Sequence, residues 1–556
     1  MAKIPMLPLA AICLLLSAAQ GRGIAPAQNT TYDYIVVGGG AAGLVVGDRL
    51  SEAGHSVLLV ERGPVSSGRW IPDAATAQMP FDNWRPEWLR GTNLTRFDVP
   101  GLAQYFWSSQ DNITCADQPE NPAACVLGGS TAVNSALWWR PPAKDFDDNG
   151  YPEGWKSADM RDAIERAFTR MPATDRPSPD GILYSPEGYN VVSAALTKAG
   201  WSNVTANEAP DEKNRTFSYA NYHYRFGYRN GPMDTYLKTA SARPNFVLRT
   251  DTSVRRVIRD GGRATGVEIE GSGGVINVTP GTGRVVLSAG YFGTPKILLR
   301  SGIGPEDQLK VVAGSPTDGA TFIDQAQWLQ LPVGKNLKDH QVTDFQISHP
   351  SVQNYDWSKN IWAKPVQKDL DQYLKDRSGM LASPPNNHGP MAWETLDGSL
   401  FSDGTPRQIQ WTTRIQNPGP PNNLFDIDIV CRPRLVHRWP SCDQLEYDND
   451  ANPNITLVKP APDQTVADYV NSVPINVASR RGLHLMGTAR MGSNSGLNNT
   501  NGEAVVDSDA KVYGTENLFV VDASVLRGIV TANPTGAIFS VAEKAVERIL
   551  KLSSRS

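Results

Sequence analysis

Residues 32–61 constrain this chain more tightly than any other stretch. Tyr34-Ile35-Val36-Val37 is a short β-branched run, and Gly38-Gly39-Gly40-Ala41-Ala42-Gly43 follows at once in the spacing G-x-G-x-x-G. Gly38 permits a tight turn, Gly40 lets backbone approach a pyrophosphate, and Gly43 lets the next helix pack closely on the strand. A helix is expected over 40–53, ended by Gly54. The strand Ser56-Val57-Leu58-Leu59-Val60 then delivers Glu61, whose carboxylate can accept hydrogen bonds from a ribose. Phosphates belong at the helix N-terminus, where unpaired N–H groups and the positive dipole end favour anions. A glycine turn alone is usually only a turn. Strand, turn, helix, strand and terminal acid in this order read as a dinucleotide site, without choosing between NAD and FAD.

The chain has 556 residues, enough for two domains, with 40% hydrophobic content and a net charge of -4. Nothing resembles a polybasic nucleic-acid surface. Lys3 and an apolar run from Leu7 to Ala19 read as a signal peptide over residues 1–19, too short for a comfortable membrane span. Asn-x-Ser/Thr sequons at Asn29, Asn93, Asn112, Asn203, Asn214, Asn277, Asn454 and Asn498 agree with a secreted glycoprotein. The expected location is extracellular, with no membrane and no nucleic-acid partner. Cys13 leaves with the signal. Cys115, Cys125, Cys431 and Cys442 remain and allow three pairings, of which sequence proximity favours Cys115 with Cys125 and Cys431 with Cys442. No CxxC or His-rich cluster suggests a metal.

Residues 63–121 are irregular and rich in Pro, Trp and Asn, which suggests long surface loops. Phe246–Arg249, Ser253–Ile258, Gly266–Ile269 and Arg284–Leu287 read as four short strands of a meander, followed by a helix over 294–300. The middle, 341–480, is mixed and proline-rich. Near the C-terminus, Asn517 to Asp522 reads as a buried strand ending in an acid. Pro534 to Leu552 has the apolar spacing of an amphipathic helix, with Asn533 placed to cap it.

Ala124-Cys125-Val126-Leu127-Gly128-Gly129-Ser130-Thr131-Ala132-Val133-Asn134, with Trp138, Pro141 and Asp147, resembles the first signature of the glucose-methanol-choline (GMC) flavin oxidoreductases. Thr294-Pro295, Ile297-Leu298 and Ser301-Gly302-Ile303-Gly304 resemble the second, with Tyr291 departing from the small residue usual near its start. His484, Gly487, Arg490-Met491-Gly492, Val505-Val506-Asp507 and Val521-Asp522-Ala523-Ser524 complete the pattern. Within the family the chain is most similar to the flavodehydrogenase part of cellobiose dehydrogenase, sharing Phe97-Asp98-Val99-Pro100-Gly101-Leu102 and Thr531-Ala532-Asn533-Pro534, without its haem domain. Leu483 stands where the cellobiose-type pattern has an asparagine. The strand pair with a Ser-Arg-Gly turn that the family places between Asp428 and His484 is not found, which implies a shortened substrate domain.

The resemblance implies an α/β fold with an FAD-binding Rossmann-like domain (30–150, 236–340 and 481–556) and a discontinuous α+β substrate-binding domain (151–235 and 341–480). It implies FAD as cofactor, held by Gly38, Gly40, Gly43, Glu61 and Arg62 at its ADP half. Gly128, Gly129, Ser130 and Asn134 would line the isoalloxazine, with Asp522, Ala523, Pro534 and Thr535 beside the ribityl, pyrophosphate and flavin carbonyl edge. His484 matches the base that removes a hydroxyl proton while hydride leaves the carbinol carbon, and Asn533 matches its partner. The chemistry agrees: oxidising an alcohol needs a proton acceptor, and imidazole titrates near working pH. Trp138 and Trp139 can stack on a ring or pack in the core. The expected activity is oxidation of a sugar or related alcohol, with electrons passed to quinone, another acceptor or oxygen. An aryl or aliphatic alcohol oxidase and a lyase-type or inactive relative are the alternatives.

Overall fold

The computed structural model describes residues 31–553 apart from 71–81, 415–423, 433–455 and 475–481 and breaks of five residues or fewer. The expected signal peptide, the sequons at Asn29, Asn112 and Asn454, and the pairing of Cys431 with Cys442 lie outside the described residues.

Tyr34–Val37 is the central strand of a five-stranded parallel sheet in the order 518–520, 284–287, 34–37, 57–60, 246–249. Its four side chains are at most 4% exposed, as expected of a strand covered on both faces. Tyr34 to Val37 pair with Arg284 to Leu287 on one side and with Val57 to Val60 on the other. The helix Ala41–Glu52 follows the glycine turn. The C-terminal helix Thr535–Ser553 packs on it and on Ser157–Arg170. Phe539, Val541, Ala542, Ala545, Val546 and Ile549 point into this core, each at most 1% exposed. Burying the larger of these side chains contributes roughly 1.5–3 kcal/mol apiece.

The expected meander divides between two sheets. Phe246–Arg249 and Arg284–Leu287 are strands of the parallel sheet, while Val254–Asp260, Arg263–Ile269 and Val275–Asn277 form a separate antiparallel sheet. Short apolar runs look alike in either setting, and only the long-range pairing separates them. The helix expected from residue 294 begins at Gly290, because the distant Asp522 carboxylate accepts the Gly290 N–H at 2.9 Å.

A second sheet has seven strands in the order 456–459, 341–348, 424–432, 407–414, 391–396, 216–218, 202–203, antiparallel except for the last pair. Strand Thr456–Lys459 falls where the sequence reading found no strand pair, and both it and Leu424–Arg432 pair with Gln341–Ser348. Its four residues follow a polar run and carry too little alternation to stand out. Cys115 and Cys125 are disulfide-bonded across the bridge Thr114 to Ala124. Among the described residues, no helix is long and apolar enough to cross a membrane and no His, Cys, Asp and Glu cluster could hold a metal ion.

Candidate active site

A cavity of 660 Å³ runs from the end of strand Val57–Val60 to His484 and Asn533, a size that suits a cofactor or small molecule. Its nucleotide end is made by backbone. Gly38 has φ +107°, and a Cβ there would lie 2.4 Å from the Ser288 carbonyl oxygen. A Cβ on Gly43 would lie 1.8 Å from the Gly38 carbonyl oxygen, so the helix meets its own turn with no space to spare. Gly40 is different. Its Cβ would meet nothing nearer than the Gly129 Cα at 4.0 Å, and the residue lines the cavity. Any longer side chain at position 40 would enter the space beside the helix N-terminus. That space fits a pyrophosphate, which needs close approach to backbone N–H groups.

Glu61 accepts hydrogen bonds from the Gly39 and Gly63 N–H groups, each at 2.7 Å. Burial pushes its carboxyl above the ordinary range, against the pull of those two donors. Arg62 binds Asp117 at 3.2 Å, and Asp117 also binds Lys296. The cystine-closed segment is thereby tied over this end, with Cys115 itself in the lining. Asp522 accepts from the Ser524 N–H at 2.7 Å, the Gly290 N–H at 2.9 Å and the Thr294 hydroxyl. It shapes the cavity wall by holding two turns together, and burial raises its pKa.

The other end is made by side chains from distant segments. Asp339 takes the His484 N–H on one oxygen at 2.7 Å, and the Gly482 and Leu483 N–H groups on the other at 3.0 and 3.2 Å. These bonds hold a turn in which Leu483 has φ +57°, a conformation that a branched side chain rarely adopts. The His484 ring lies between two partners, with Nδ1 3.0 Å from Nδ1 of His340 and Nε2 3.1 Å from Nδ2 of Asn533. The two imidazoles meet edge to face, 4.9 Å apart and 88° inclined. Burial, then the neighbouring His340, pulls the His484 pKa well below the ordinary imidazole value, so the ring is neutral at neutral pH.

Asn533 is oriented by its surroundings. The Trp139 indole N–H donates to its Oδ1 at 3.1 Å and Gln410 Nε2 donates at 3.3 Å. Indole N–H is only a donor, which fixes the carbonyl at that side and turns the amide N–H₂ toward His484. Trp139 is 2% exposed and packs edge-on against Trp393, so its apolar body is core and its N–H serves the site. Trp138 stacks on Phe168 with no exposure and is core throughout.

The structure brings Gly38, Gly40, Glu61, Arg62, Gly129, Ser130, Asn134, His484, Asp522, Ala523, Asn533, Pro534 and Thr535 onto one lining. Gly43 and Gly128 are behind it. Gly43 serves the close packing just described, and a Cβ on Gly128 would lie 2.2 Å from the Met233 sulfur. The sequence reading missed Asp339, His340, Gln410 and Arg229. The buried Arg229 guanidinium donates to the Asn134 side chain at 2.9 Å and to its carbonyl at 2.7 Å, and so fixes that residue in the wall. The only local signal among these four is the adjacent acid and imidazole of Asp339-His340. Their partners at 482–484 lie more than 140 positions away.

A family sequence model described as GMC oxidoreductase matches residues 32–342, and a second with the same description matches 440–542. The chain is 26% identical over 570 residues to an oxygen-dependent choline dehydrogenase of Photobacterium profundum, covering 94% of each chain. It is 27% identical to a second oxygen-dependent choline dehydrogenase, of Vibrio vulnificus, covering 93% of this chain and 94% of that one. The solved structure of an Aspergillus oryzae formate oxidase superposes with a TM-score of 0.69 at 18% identity, over 95% of this chain and 100% of that one. A fungal aryl-alcohol oxidase does so at 0.64 and 19%, with the same coverage.

Proposed function

This chain belongs to the GMC oxidoreductases and binds FAD, and we propose that it oxidises the CH–OH group of a sugar or related neutral alcohol, with His484 as base and Asn533 beside it. The observation that carries this reading is the neutral His484 imidazole held against the Asn533 amide on the wall of the cavity that begins at the nucleotide cradle. When bound, FAD accepts two electrons as hydride from the carbinol carbon. The hydroxyl proton goes to His484, whose lowered pKa keeps its lone pair available near neutrality and below. The Asn533 N–H₂ faces the same spot and donates to the substrate oxygen as the carbonyl forms. Pro534 and Thr535 open the C-terminal helix on the cavity, and the positive end of that dipole would favour negative charge on a cofactor held there.

Beyond the nucleotide cradle, Leu137, Arg414, Leu483, His484 and Asn533 line the cavity, and Arg414 is the charged side chain among them. Arg414 is paired with Asp344 at 3.6 Å, and its remaining N–H donors suit the hydroxyls of a neutral substrate better than a quaternary ammonium such as choline, which has no acceptor on its cationic head. The resemblance to the cellobiose dehydrogenase flavodomain points to sugars, while Leu483 in place of its asparagine argues for a smaller or less polar ring than a disaccharide. Anaerobic bleaching of the flavin by glucose, xylose, cellobiose, benzyl alcohol and choline tests the substrate class. Bleaching by choline alone would overturn the proposal. The acceptor we propose is a quinone or similar compound. Oxygen is the second reading, favoured by the oxygen-dependent relatives, and fast reoxidation in air with peroxide release would select it. We also propose that the protein is secreted and glycosylated. Asn93, Asn203, Asn214, Asn277 and Asn498, the sequon asparagines among the described residues, are all exposed, and a mass loss on glycosidase treatment checks this.

A further inference from the structure

We infer that His340 is a positioning residue that fixes which nitrogen of His484 carries the proton, so that Nε2 faces the cavity with a bare lone pair. The inference rests on the reading of His484 as base. The chain of donors begins at the Val530 carbonyl, which only accepts and lies 2.8 Å from Nε2 of His340. That nitrogen therefore bears hydrogen. In a neutral imidazole the other nitrogen is then an acceptor, and here it is Nδ1, 3.0 Å from Nδ1 of His484. Two bare lone pairs cannot face each other at that distance, so the His484 nitrogen on this side is the N–H. The opposite nitrogen, Nε2, is left as the acceptor, and its neighbour is the Asn533 N–H₂, a donor. All four groups agree on one arrangement of protons.

This arrangement matters because a free imidazole prefers its proton on Nε2, the form that cannot take one from a substrate hydroxyl at that atom. His340 reverses the preference. When His484 takes the hydroxyl proton on Nε2, its Nδ1–H still donates to His340, so the cation keeps its hydrogen bond. His340 is 1% exposed and directly follows Asp339, so one dipeptide grips the base twice, by its backbone and by its ring. The other titratable groups around the pair, among the described residues, are already committed. Asp339 spends its oxygens on backbone N–H groups, the half-buried Tyr291 hydroxyl has its pKa pushed up to about 12 and keeps its proton, and Arg414 pairs with Asp344 at 3.6 Å.

Two substitutions separate this role from packing. His340→Asn places a carbonyl oxygen near the Nδ1 position and keeps an acceptor, whereas His340→Leu fills the space without one. Long-range proton–nitrogen NMR of the FAD-loaded, histidine-labelled protein at pH 8, with His484→Gln used for assignment, should show His484 protonated on Nδ1 in the parent and in His340→Asn. It should show a large Nε2–H fraction in His340→Leu. Flavin reduction by the best alcohol of the panel should slow about ten- to a hundredfold in His340→Leu, with KM within about twofold, and recover most of that loss in His340→Asn. An Nε2–H form in the parent, or a His340→Leu protein as fast as the parent, would overturn the inference. If His340→Leu does not fold, the parent tautomer and the His340→Asn rate still decide. If no alcohol bleaches the flavin while His484 is protonated on Nδ1, the proposed function fails and the tautomer assignment stands.

Discussion

The two ends of the cavity are built on opposite plans. At the nucleotide end the wall is main chain: a glycine turn, the start of a helix and a carboxylate that holds two backbone N–H groups. These parts come from within thirty residues, and Cys115 and Gly129 join the lining from further along the chain. At the reaction end His484 and Asn533 stand in the wall and are held from behind by Trp139, His340 and Gln410, side chains from five segments joined by hydrogen bonds that span up to 394 positions. A cradle of main chain tolerates almost no added atom but asks little of side-chain identity. A network of imidazole and amide groups tolerates small changes in volume but depends on which atom donates and which accepts.

The contrast is easiest to break with glycine substitutions. Gly43→Val should give no soluble flavoprotein, since even its Cβ would sit 1.8 Å from the Gly38 backbone carbonyl oxygen. Gly40→Ala, three residues earlier, has room for its methyl and should fold, with flavin bound more weakly. The ratio of flavin to protein absorbance in the purified variants checks both, and a yellow, stable Gly43→Val protein would remove the basis for the first plan. His484→Ala should do the reverse. It should leave flavin content within error of the parent and slow anaerobic flavin reduction by about 10²–10⁴-fold, the usual contribution of a positioned base. Because burial lowers the His484 pKa, the acid limb of the parent rate should also fall below pH 6.5, with activity lost only as pH drops through that lowered value.

The same contrast explains what could be read from the amino-acid sequence. The cradle was legible because its requirements are local and consecutive, so Gly38 to Glu61 announces strand, turn, helix and acid in order. His484 and Asn533 were reached only through likeness to a family, since a histidine before a glycine-rich turn is by itself an ordinary residue. Asp339, His340, Gln410 and Arg229 were not reached at all. Apart from the adjacent acid and imidazole of Asp339-His340, nothing near them in the chain differs from a solvated loop or an edge strand, and their roles exist only once the seven-stranded sheet sets strand 407–414 beside the loops at 484 and 533. Strand Phe246–Arg249 was read as part of a meander for a related reason: its parallel partner lies nearly two hundred positions earlier.

A smaller effect tests whether a buried imidazole outside the cavity lining carries a stability cost that the cradle does not. His223 has no exposure, stands edge-on to Trp138, and neither ring nitrogen has a hydrogen-bond partner among the described residues. Burial, then the Arg229 charge, pulls its pKa down to about 3. The unfolded chain takes up this proton once pH falls below the ordinary value of 6.5, while the folded chain does not, so stability is intact above pH 6.5 and declines toward pH 3. At pH 5 the loss from this one group is about 2 kcal/mol. His223→Leu should therefore raise the urea midpoint relative to the parent more at pH 5 than at pH 7.5. Parallel shifts at the two pH values would show that the ring finds a partner when it is protonated.

The smallest expected change is at Glu61, and it asks whether the cradle depends on shape alone. Glu61→Gln keeps the volume and the fold but replaces one of two acceptor oxygens with a donor. In the parent, one oxygen holds Gly39 N–H and the other holds Gly63 N–H, so whichever way the amide turns, one backbone donor must face another. Leaving a buried N–H without its acceptor costs about 1–2 kcal/mol, and the Gly39 peptide sits inside the glycine turn. The strain should therefore fall on FAD binding more than on the core, weakening it by about tenfold while the melting temperature of the apoprotein moves by only a few degrees. Titration of apoprotein with FAD measures the first and calorimetry the second. A variant that binds FAD as tightly as the parent would mean that the turn is held by its glycines and its sheet alone, and that the carboxylate could be exchanged for any residue of its size.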